Sequence, residues 1–149
     1  MIRWLCMLLL LTACMPEGYE GPFLVTRIID GDTLEIENGE IIRLSGINTP
    51  EKKECYYEEA KQALSQLTIN KSVYLERDLT DRGKYKRLIR YVYVGEEHVN
   101  AVLVLHGYAK VYDKYAFDTK RYNELKKIEK IPRAQGMGVW SCSEKPLNK

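Results

Sequence analysis

The sequence predicts a protein of the α+β class, consisting mainly of a small five-stranded β-barrel with about three helices. Short runs of β-branched and aromatic residues recur along the chain and alternate with polar residues, as half-buried strands do. One helical pattern interrupts these runs, and two more follow them. Several strands with a single inserted helix favour a barrel over a sheet built from alternating strands and helices.

The first strand is predicted over Phe23–Ile29, where apolar and β-branched residues dominate. A tight Asp-Gly-Asp-Thr turn follows at 30–33. Helical stretches are recognised by apolar residues at i, i+3, i+4 and i+7, and strands by alternation. These patterns predict a helix at 56–67, strands at 72–78 and 87–94 with a charged loop at 80–86 between them, a helix at 99–106 and a last helix over 122–128.

A β-hairpin gives the clearest local signal. Two alternating runs, TLEIE and EIIRL, flank Asn38-Gly39, the favoured dipeptide of a two-residue hairpin loop. In the register that such a loop imposes, Leu34 faces Arg43. Because side chains alternate between the faces of a strand, Asp32 and Arg43 then share one face as diagonal neighbours, about 7 Å apart at Cα.

Single residues mark the helix boundaries. Gly107 is a natural C-terminal stop for the second helix. Asp118 or Thr119 is the expected N-cap of the last helix, and Pro132 should end or kink it. The complete order, β-β-β-α-β-β-α-α, is typical of a barrel of the OB type.

Length and composition allow one domain with an ordinary core. The chain has 149 residues, of which 45% are hydrophobic and 30% are charged. This length is enough for one domain and short for two, and we assign 21–142 to the domain and 143–149 to a C-terminal tail. The formal net charge is only +2. Any affinity for nucleic acid must therefore come from a local cluster of basic residues rather than from bulk charge.

The N-terminus has the character of a targeting segment. An apolar run from Trp4 to Leu11 is too short to span a bilayer but suits the apolar region of a signal peptide. The run ends in Leu-Thr-Ala-Cys, which resembles a bacterial lipobox. The resemblance implies a signal peptide at 1–13, a lipid on the sulfur of Cys14, a tether at 14–20, and an exported protein anchored in the cell envelope. An ordinary signal peptide, or an uncleaved anchor, with a chance cysteine is the alternative.

Two of the four cysteines remain as candidates for a disulfide. Cys6 would leave with the signal peptide, and Cys14 would carry lipid. Cys55 and Cys142 are left, and a remaining pair in an exported protein is a candidate for one disulfide bond. The sequence does not show whether their Cα atoms come within bridging distance.

Several short motifs follow one another in a fixed order. Each is weak alone: Asp-Gly-Asp is usually a turn, Arg43 and Arg87 would serve as strand-edge charges, and Glu51 would favour a helix N-terminus. Together they resemble the staphylococcal-nuclease-like (thermonuclease) family over about residues 25–141. The motifs are DGDT, RLSGINTPE, DRGKYKRLIRYVYV, VNAVLVLHGYAKV and GVWS.

The resemblance implies a nuclease that cleaves phosphodiester bonds in DNA and RNA with calcium and little sequence preference. It places Asp32 and Asn48 at the metal, together with the backbone carbonyl of Thr49. The family normally has aspartate where this chain has Asn48. An amide oxygen still suits calcium, which prefers oxygen ligands, but it brings no negative charge. His98 and His106 lack partners with metal-ligand spacing, so we interpret both as structural or surface residues.

The resemblance also implies three catalytic residues. Arg43 and Arg87 would contact the phosphate, and Glu51 would serve the attacking water. These residue types suit the chemistry: guanidinium forks bind phosphoryl oxygens with bidentate, charge-assisted hydrogen bonds, and a carboxylate accepts a proton from water. Lys86 stands where the family has glycine.

Aromatic residues beside lysines can stack bases without reading sequence. Lys84, Tyr85 and Tyr115 are the candidates for substrate binding, although Tyr115 would equally serve as a core residue. Tyr91 and Tyr93 are assigned to the barrel core. The alternative function is an OB-fold nucleic-acid-binding lipoprotein with weak or no catalysis, and a structural lipoprotein with a relic site is the third. Nothing in the sequence indicates a protein partner, and we expect a monomer.

Overall fold

The computed structural model describes residues 18–142. The predicted signal peptide at 1–13, the lipidation site Cys14 and the tail at 143–149 lie outside these residues. Within the described range, no helix is both long and apolar enough to cross a bilayer.

A closed barrel of five strands forms the centre of the described chain. Its strands pair in the order β3-β2-β1-β5-β6, and a parallel pairing between β3 and β6 closes the barrel. A short seventh strand extends the β6 edge, and β4 pairs separately with β8. The strands are β1 Tyr19–Asp30, β2 Thr33–Ile36, β3 Ile41–Leu44, β4 Ile47–Asn48, β5 Ser72–Arg82, β6 Leu88–Val94, β7 Glu97–His98 and β8 Lys110–Val111.

Within residues 18–142, three α-helices and two 3₁₀ helices accompany the barrel, so the predicted α+β class with a five-stranded OB-type barrel is confirmed. The first helix is inserted between β4 and β5, and it buries Ala60, Ala63 and Leu64 through the spacing that predicted it. Gly107 ends the second helix with φ +72°, as expected for a C-terminal stop. The helices are α1 Tyr57–Thr68, α2 Val99–Leu105 and α3 Tyr122–Ala134, and the 3₁₀ helices are Asp113–Asp118 and Gly138–Trp140.

The first hairpin differs from the prediction by one residue. Arg43 pairs with Thr33 instead of Leu34. The loop has three residues rather than two, because the Ile36 N–H donates to the Glu40 carbonyl at 3.1 Å. Gly39 takes the left-handed conformation with φ +81°. A three-residue loop with glycine in this conformation is the next most common hairpin connection after the two-residue turns, and it moves the register by one.

Other predicted boundaries also change. The fifth strand runs through Arg82, so it includes part of the predicted charged loop, and the first strand begins at Tyr19, inside the predicted tether. The predicted N-caps of α3 are wrong, because the helix has no side-chain cap. Asp118 instead accepts a hydrogen bond from the Thr80 hydroxyl. The α3 helix continues for two residues beyond Pro132.

Candidate active site

The residues singled out by their motifs converge on one cleft of about 550 Å³. Its walls come from the turn between β1 and β2, the chain from β3 to the start of the loop before α1, the β5–β6 connection and the segment around the first 3₁₀ helix. Of the candidate metal, catalytic and substrate residues, Thr49 does not line the cleft. Those that do are Asp32, Arg43, Asn48, Glu51, Lys84, Tyr85, Arg87 and Tyr115.

Asp32 is buried, and both of its carboxylate oxygens accept hydrogen bonds from the protein. Its Oδ1 pairs with Arg43 Nε at 3.1 Å and accepts the Thr33 hydroxyl at 3.0 Å. Its Oδ2 accepts both the backbone N–H and the hydroxyl of Thr49, at 2.9 and 3.1 Å. Burial raises the pKa of Asp32, Arg43 opposes this shift, and the neighbouring Asp30 carboxylate adds to it. Thr49 therefore holds Asp32 in place through its backbone N–H and its hydroxyl, and this role is separate from the one predicted for its carbonyl.

The hairpin predicted Asp32 and Arg43 as diagonal neighbours on one face, about 7 Å apart at Cα, but the register behind that prediction was wrong. Asp32 lies in the turn before β2 rather than in the strand. Side chains in a turn do not alternate between the two faces of a sheet as those in a strand do. The Asp32 side chain can therefore reach Arg43 from the turn. The two predicted neighbours are thus in contact for a different geometric reason.

Arg43 is held by three groups of the protein. Besides the pairing with Asp32, one terminal nitrogen donates to the Leu44 carbonyl, and the other donates to Asn48 Oδ1 at 3.0 Å. A guanidinium has five N–H donors, so two remain available on the fork. Asn48 therefore orients Arg43, in addition to the role at a metal that its position implies.

Arg87 lines the same cleft from the β5–β6 connection. Its Nε is buried and has no hydrogen-bond partner among the described residues. Leaving a buried donor unpaired is costly, and this cost is larger for charged groups. The adjacent Lys86 has φ +59°, the left-handed region that glycine adopts without strain. The glycine that the resemblance implies at this position would adopt this conformation without strain.

Glu51 lies at the exposed start of the loop before α1 and lines the cleft. The Glu51 N–H donates to Glu54 Oε2 at 2.7 Å, and the Glu54 N–H donates back to the Glu51 carbonyl at 2.8 Å. The same loop carries Cys55, which forms a disulfide with Cys142. The Cα atoms of the two cysteines are 6.1 Å apart, within the range that a disulfide spans.

Aromatic side chains stand at the rim of the cleft. Tyr85 is 70% exposed and lies between two cations, with Lys84 Nζ 5.6 Å and the Arg87 guanidinium 5.4 Å from its ring centre. Tyr115 is 45% exposed, and its ring meets that of Tyr112 edge-on at 5.2 Å. Both exposed rings are therefore available for stacking. By contrast, the two tyrosines assigned to the core, Tyr91 and Tyr93, are buried.

Three carboxylates of the cleft, those of Asp30, Asp78 and Asp118, were not identified as site residues from the motifs. Asp30 lines the cleft and accepts the Asp32 N–H at 3.1 Å, and its signal was present as the first aspartate of the Asp-Gly-Asp turn. Asp78 also lines the cleft, but it accepts hydrogen bonds from Ser45, Tyr91 and the Lys120 N–H. Nothing in the local sequence distinguishes Asp78 from an ordinary strand residue.

The oxygen ligands that the cleft offers suit a hard cation, which they would bind with modest affinity. Asp30 and Asp32 supply carboxylates, and Asn48 supplies an amide oxygen. Residues 18–142 contain no group of three or more histidine, cysteine or acidic side chains that would hold a metal ion. A calcium ion bound here would depend on neutral oxygens, water and the substrate for its remaining ligands.

Known proteins provide an independent comparison. The family described as Staphylococcal nuclease homologue matches residues 41–142. SPbeta prophage-derived endonuclease YokF of Bacillus subtilis (strain 168) is 35% identical over 77% of this chain, and the chain spans only 42% of that protein. An uncharacterized endonuclease of Haemophilus influenzae is 33% identical, with 88% of this chain and 71% of that protein covered. Thermonuclease of Staphylococcus intermedius is 32% identical, with 79% and 75% covered.

Proposed function

Since the chain belongs to the staphylococcal nuclease homologue family and its domain is therefore a nuclease domain, a phosphodiester hydrolase, we propose that the protein hydrolyses DNA and RNA with calcium. The observation that carries this proposal is the convergence of Arg43, Arg87 and Glu51 on one cleft. Two guanidinium groups lining the same space suit an anionic ligand, and a phosphodiester supplies one.

The two arginines differ in how they are prepared for the phosphate. Arg43 is fixed by Asp32, Leu44 and Asn48, and it presents its two remaining N–H groups in a defined direction. Arg87 lines the cleft, and its Nε has no hydrogen-bond partner among the described residues. In the transition state negative charge gathers on the phosphoryl oxygens, and preorganised donors stabilise that charge without having to reorganise.

Glu51 is the proton acceptor in this proposal. The oxygen of a water molecule attacks phosphorus, and a proton of that water passes to the Glu51 carboxylate. The bond from phosphorus to one sugar oxygen breaks, and the departing sugar oxygen takes a proton from a second water to become a hydroxyl. A positioned general base of this kind contributes about 10²–10⁴-fold to the rate. The exposed position of Glu51 at the cleft leaves its carboxylate accessible to water.

Calcium would be held by Asp32 and Asn48, whose oxygens would exchange some of the hydrogen bonds from Thr33, Thr49 and Arg43 for the ion, together with the Thr49 carbonyl, which lies outside the present cleft lining. The ion would supply positive charge at the phosphoryl group when bound. Asp30 is a further carboxylate beside them. With two carboxylates and one amide, we expect weak binding, in the range of about 10⁻⁴–10⁻³ M that is typical of extracellular calcium modules.

Substrate selection follows from the rim. Tyr85 and Tyr115 offer exposed rings beside Lys84 and Lys114, and stacking on such rings does not distinguish bases. We therefore propose cleavage with little sequence preference. The names of two relatives, an endonuclease and a thermonuclease, agree with this substrate class.

The proposed location is the outside of a bacterial membrane, with a lipid anchor at Cys14 and a monomeric domain. Labelling with a fatty-acid probe tests the anchor: wild type should be labelled, and Cys14→Ala should not. Equal labelling of both proteins would overturn it.

A plasmid assay tests the activity. Wild type should nick and degrade plasmid DNA with calcium and should be inactive with excess chelator. A filter-binding measurement in chelator distinguishes the alternative, because a binding module would retain DNA without cleaving it under either condition.

A further inference from the structure

The loop that carries Glu51 has few ties of its own to the rest of the domain. Among the described hydrogen bonds and ion pairs, those of residues 50–56 stay within the loop or reach the start of α1. The loop also contains two residues with left-handed backbones, Lys53 at φ +76° and Tyr56 at φ +69°. Such conformations are strained for residues other than glycine, and they persist only where the surroundings impose them.

The disulfide is the one covalent link from this loop to a distant element of the described chain. Cys55 lies between the two strained residues, four positions after Glu51. Its partner, Cys142, lies two residues after the end of the second 3₁₀ helix. The bond therefore joins the Glu51 loop to the C-terminal segment across 87 positions of sequence.

That C-terminal segment is firmly attached to the domain. Val139 is buried, and its N–H donates to the Gly107 carbonyl at 2.8 Å. The Trp140 ring lies between two cations, with Lys110 Nζ at 4.6 Å and the Arg133 guanidinium at 5.1 Å from its centre. Lys110 belongs to β8, which pairs with the strand that ends at Asn48. The disulfide thus ties the loop to a segment whose position in the domain is fixed.

We propose that the Cys55–Cys142 disulfide is a positioning element for Glu51, so that breaking it lowers turnover while leaving substrate binding intact. This inference rests on the proposed nuclease function. Arg43 and Arg87 are placed by other elements and do not depend on the bond. A misplacement of about 1 Å costs up to about 10²-fold in rate.

The bond is accessible to a reductant, because Cys55 is exposed and Cys142 is partly exposed. A phosphine or dithiol reductant gives up two electrons and becomes oxidised. The S–S bond breaks, and each sulfur takes one proton to become a thiol. The nuclease would therefore be most active in an oxidising compartment, which agrees with an exported protein.

The test compares oxidised wild type, phosphine-reduced wild type and a Cys55→Ser/Cys142→Ser double variant, all as the full chain. Calcium-dependent DNA hydrolysis should show kcat at least about tenfold lower in the reduced and double-variant proteins, whereas the Kd for DNA in chelator should change less than about twofold. Reductant should have no further effect on the double variant. Unchanged kcat, or an equal loss of kcat and DNA affinity, would overturn the proposal.

Limited proteolysis supplies a readout that does not depend on activity. Lys52 and Lys53 are exposed trypsin sites within the loop, and Lys127 and Lys130 are exposed sites on α3. Reduction should accelerate cleavage at 52–53 at least about tenfold relative to the α3 sites. An equal acceleration at all four sites would indicate global unfolding and would contradict a local role. Oxidised wild type without any nuclease activity would instead overturn the proposed function and this inference together.

Discussion

Replacing Gly31 with alanine should disturb the candidate active site by displacing a buried neighbour, Thr49. Gly31 is the middle residue of the Asp-Gly-Asp turn, and its backbone is not in the left-handed region. The obstacle is space: a Cβ at this position would lie 2.7 Å from Thr49 Oγ1 and 2.9 Å from the Cβ of Ala60. Both neighbours are buried, so the new methyl group cannot be accommodated without a shift in Thr49, Ala60 or the turn itself.

The expected cost follows from these contacts. Overpacking of a well-packed interior typically costs about 1–3 kcal/mol. Thr49 donates two hydrogen bonds to Asp32, and Asp32 in turn holds Arg43. A shift of Thr49 therefore moves Asp32 as well, and misplacement of a catalytic group by about 1 Å costs up to about 10²-fold in rate.

Gly83→Ala is a matched control at another glycine of the cleft. Its Cβ would meet Ile89 Cδ1 at 3.1 Å, the flexible end of a side chain that can give way. Urea unfolding should show a loss of about 1–3 kcal/mol for Gly31→Ala and a smaller loss for Gly83→Ala. DNA hydrolysis should fall clearly only in the first variant. Wild-type stability and activity in Gly31→Ala would show that the turn accommodates the added methyl group without displacing Thr49.

Three further predictions concern charge. Asn48→Asp restores a carboxylate beside Asp32 and should lower the calcium concentration for half-maximal DNA hydrolysis several-fold; an unchanged titration would show that position 48 does not face the metal. Arg87→Lys replaces a fork with a point charge and should reduce kcat/KM by about 10²–10³-fold, as measured on a defined oligonucleotide, and a near-wild-type value would contradict its role. Burial lowers the pKa of His98, although Glu124 opposes this and Arg121 adds to it. The unfolded chain therefore takes up a proton first as pH falls below about 6.5, and stability is lost. Urea unfolding at pH 7.5 and 5.5 should show a smaller pH-dependent loss in His98→Asn than in wild type.

Much of the fold was predictable because the spacing of apolar residues along the sequence shows which face of a helix or strand is buried. The spacing of Ala60, Ala63, Leu64 and Leu67 predicted α1, which buries the first three together with Thr68 and leaves Leu67 partly buried. The short strands β4, β7 and β8 have two residues each, too few to show any alternation. The predicted hairpin register was wrong because Asn38-Gly39 occurs in both two- and three-residue loops, and the dipeptide does not show which of the two forms.

The candidate site was predictable as a collection of residues but not as a geometry. The motifs identified Asp32, Arg43, Glu51 and Arg87, and the fold brings all four to one cleft. No sequence pattern reports that Arg87 Nε lacks a partner, since this depends on every neighbouring element. The same holds for the hydrogen bond from Arg43 to Asn48, which crosses from β3 to β4.

We propose that this cleft hydrolyses phosphodiesters with Glu51 as proton acceptor. The most direct measurement is a calcium titration of DNA hydrolysis for wild type and Glu51→Gln, with the Kd for DNA measured in parallel. Glu51→Gln removes the acceptor and leaves both arginines in place, so kcat should fall by about 10²–10⁴-fold while the Kd changes little. Hydrolysis by wild type in the absence of calcium, or an unaffected Glu51→Gln protein, would contradict the account.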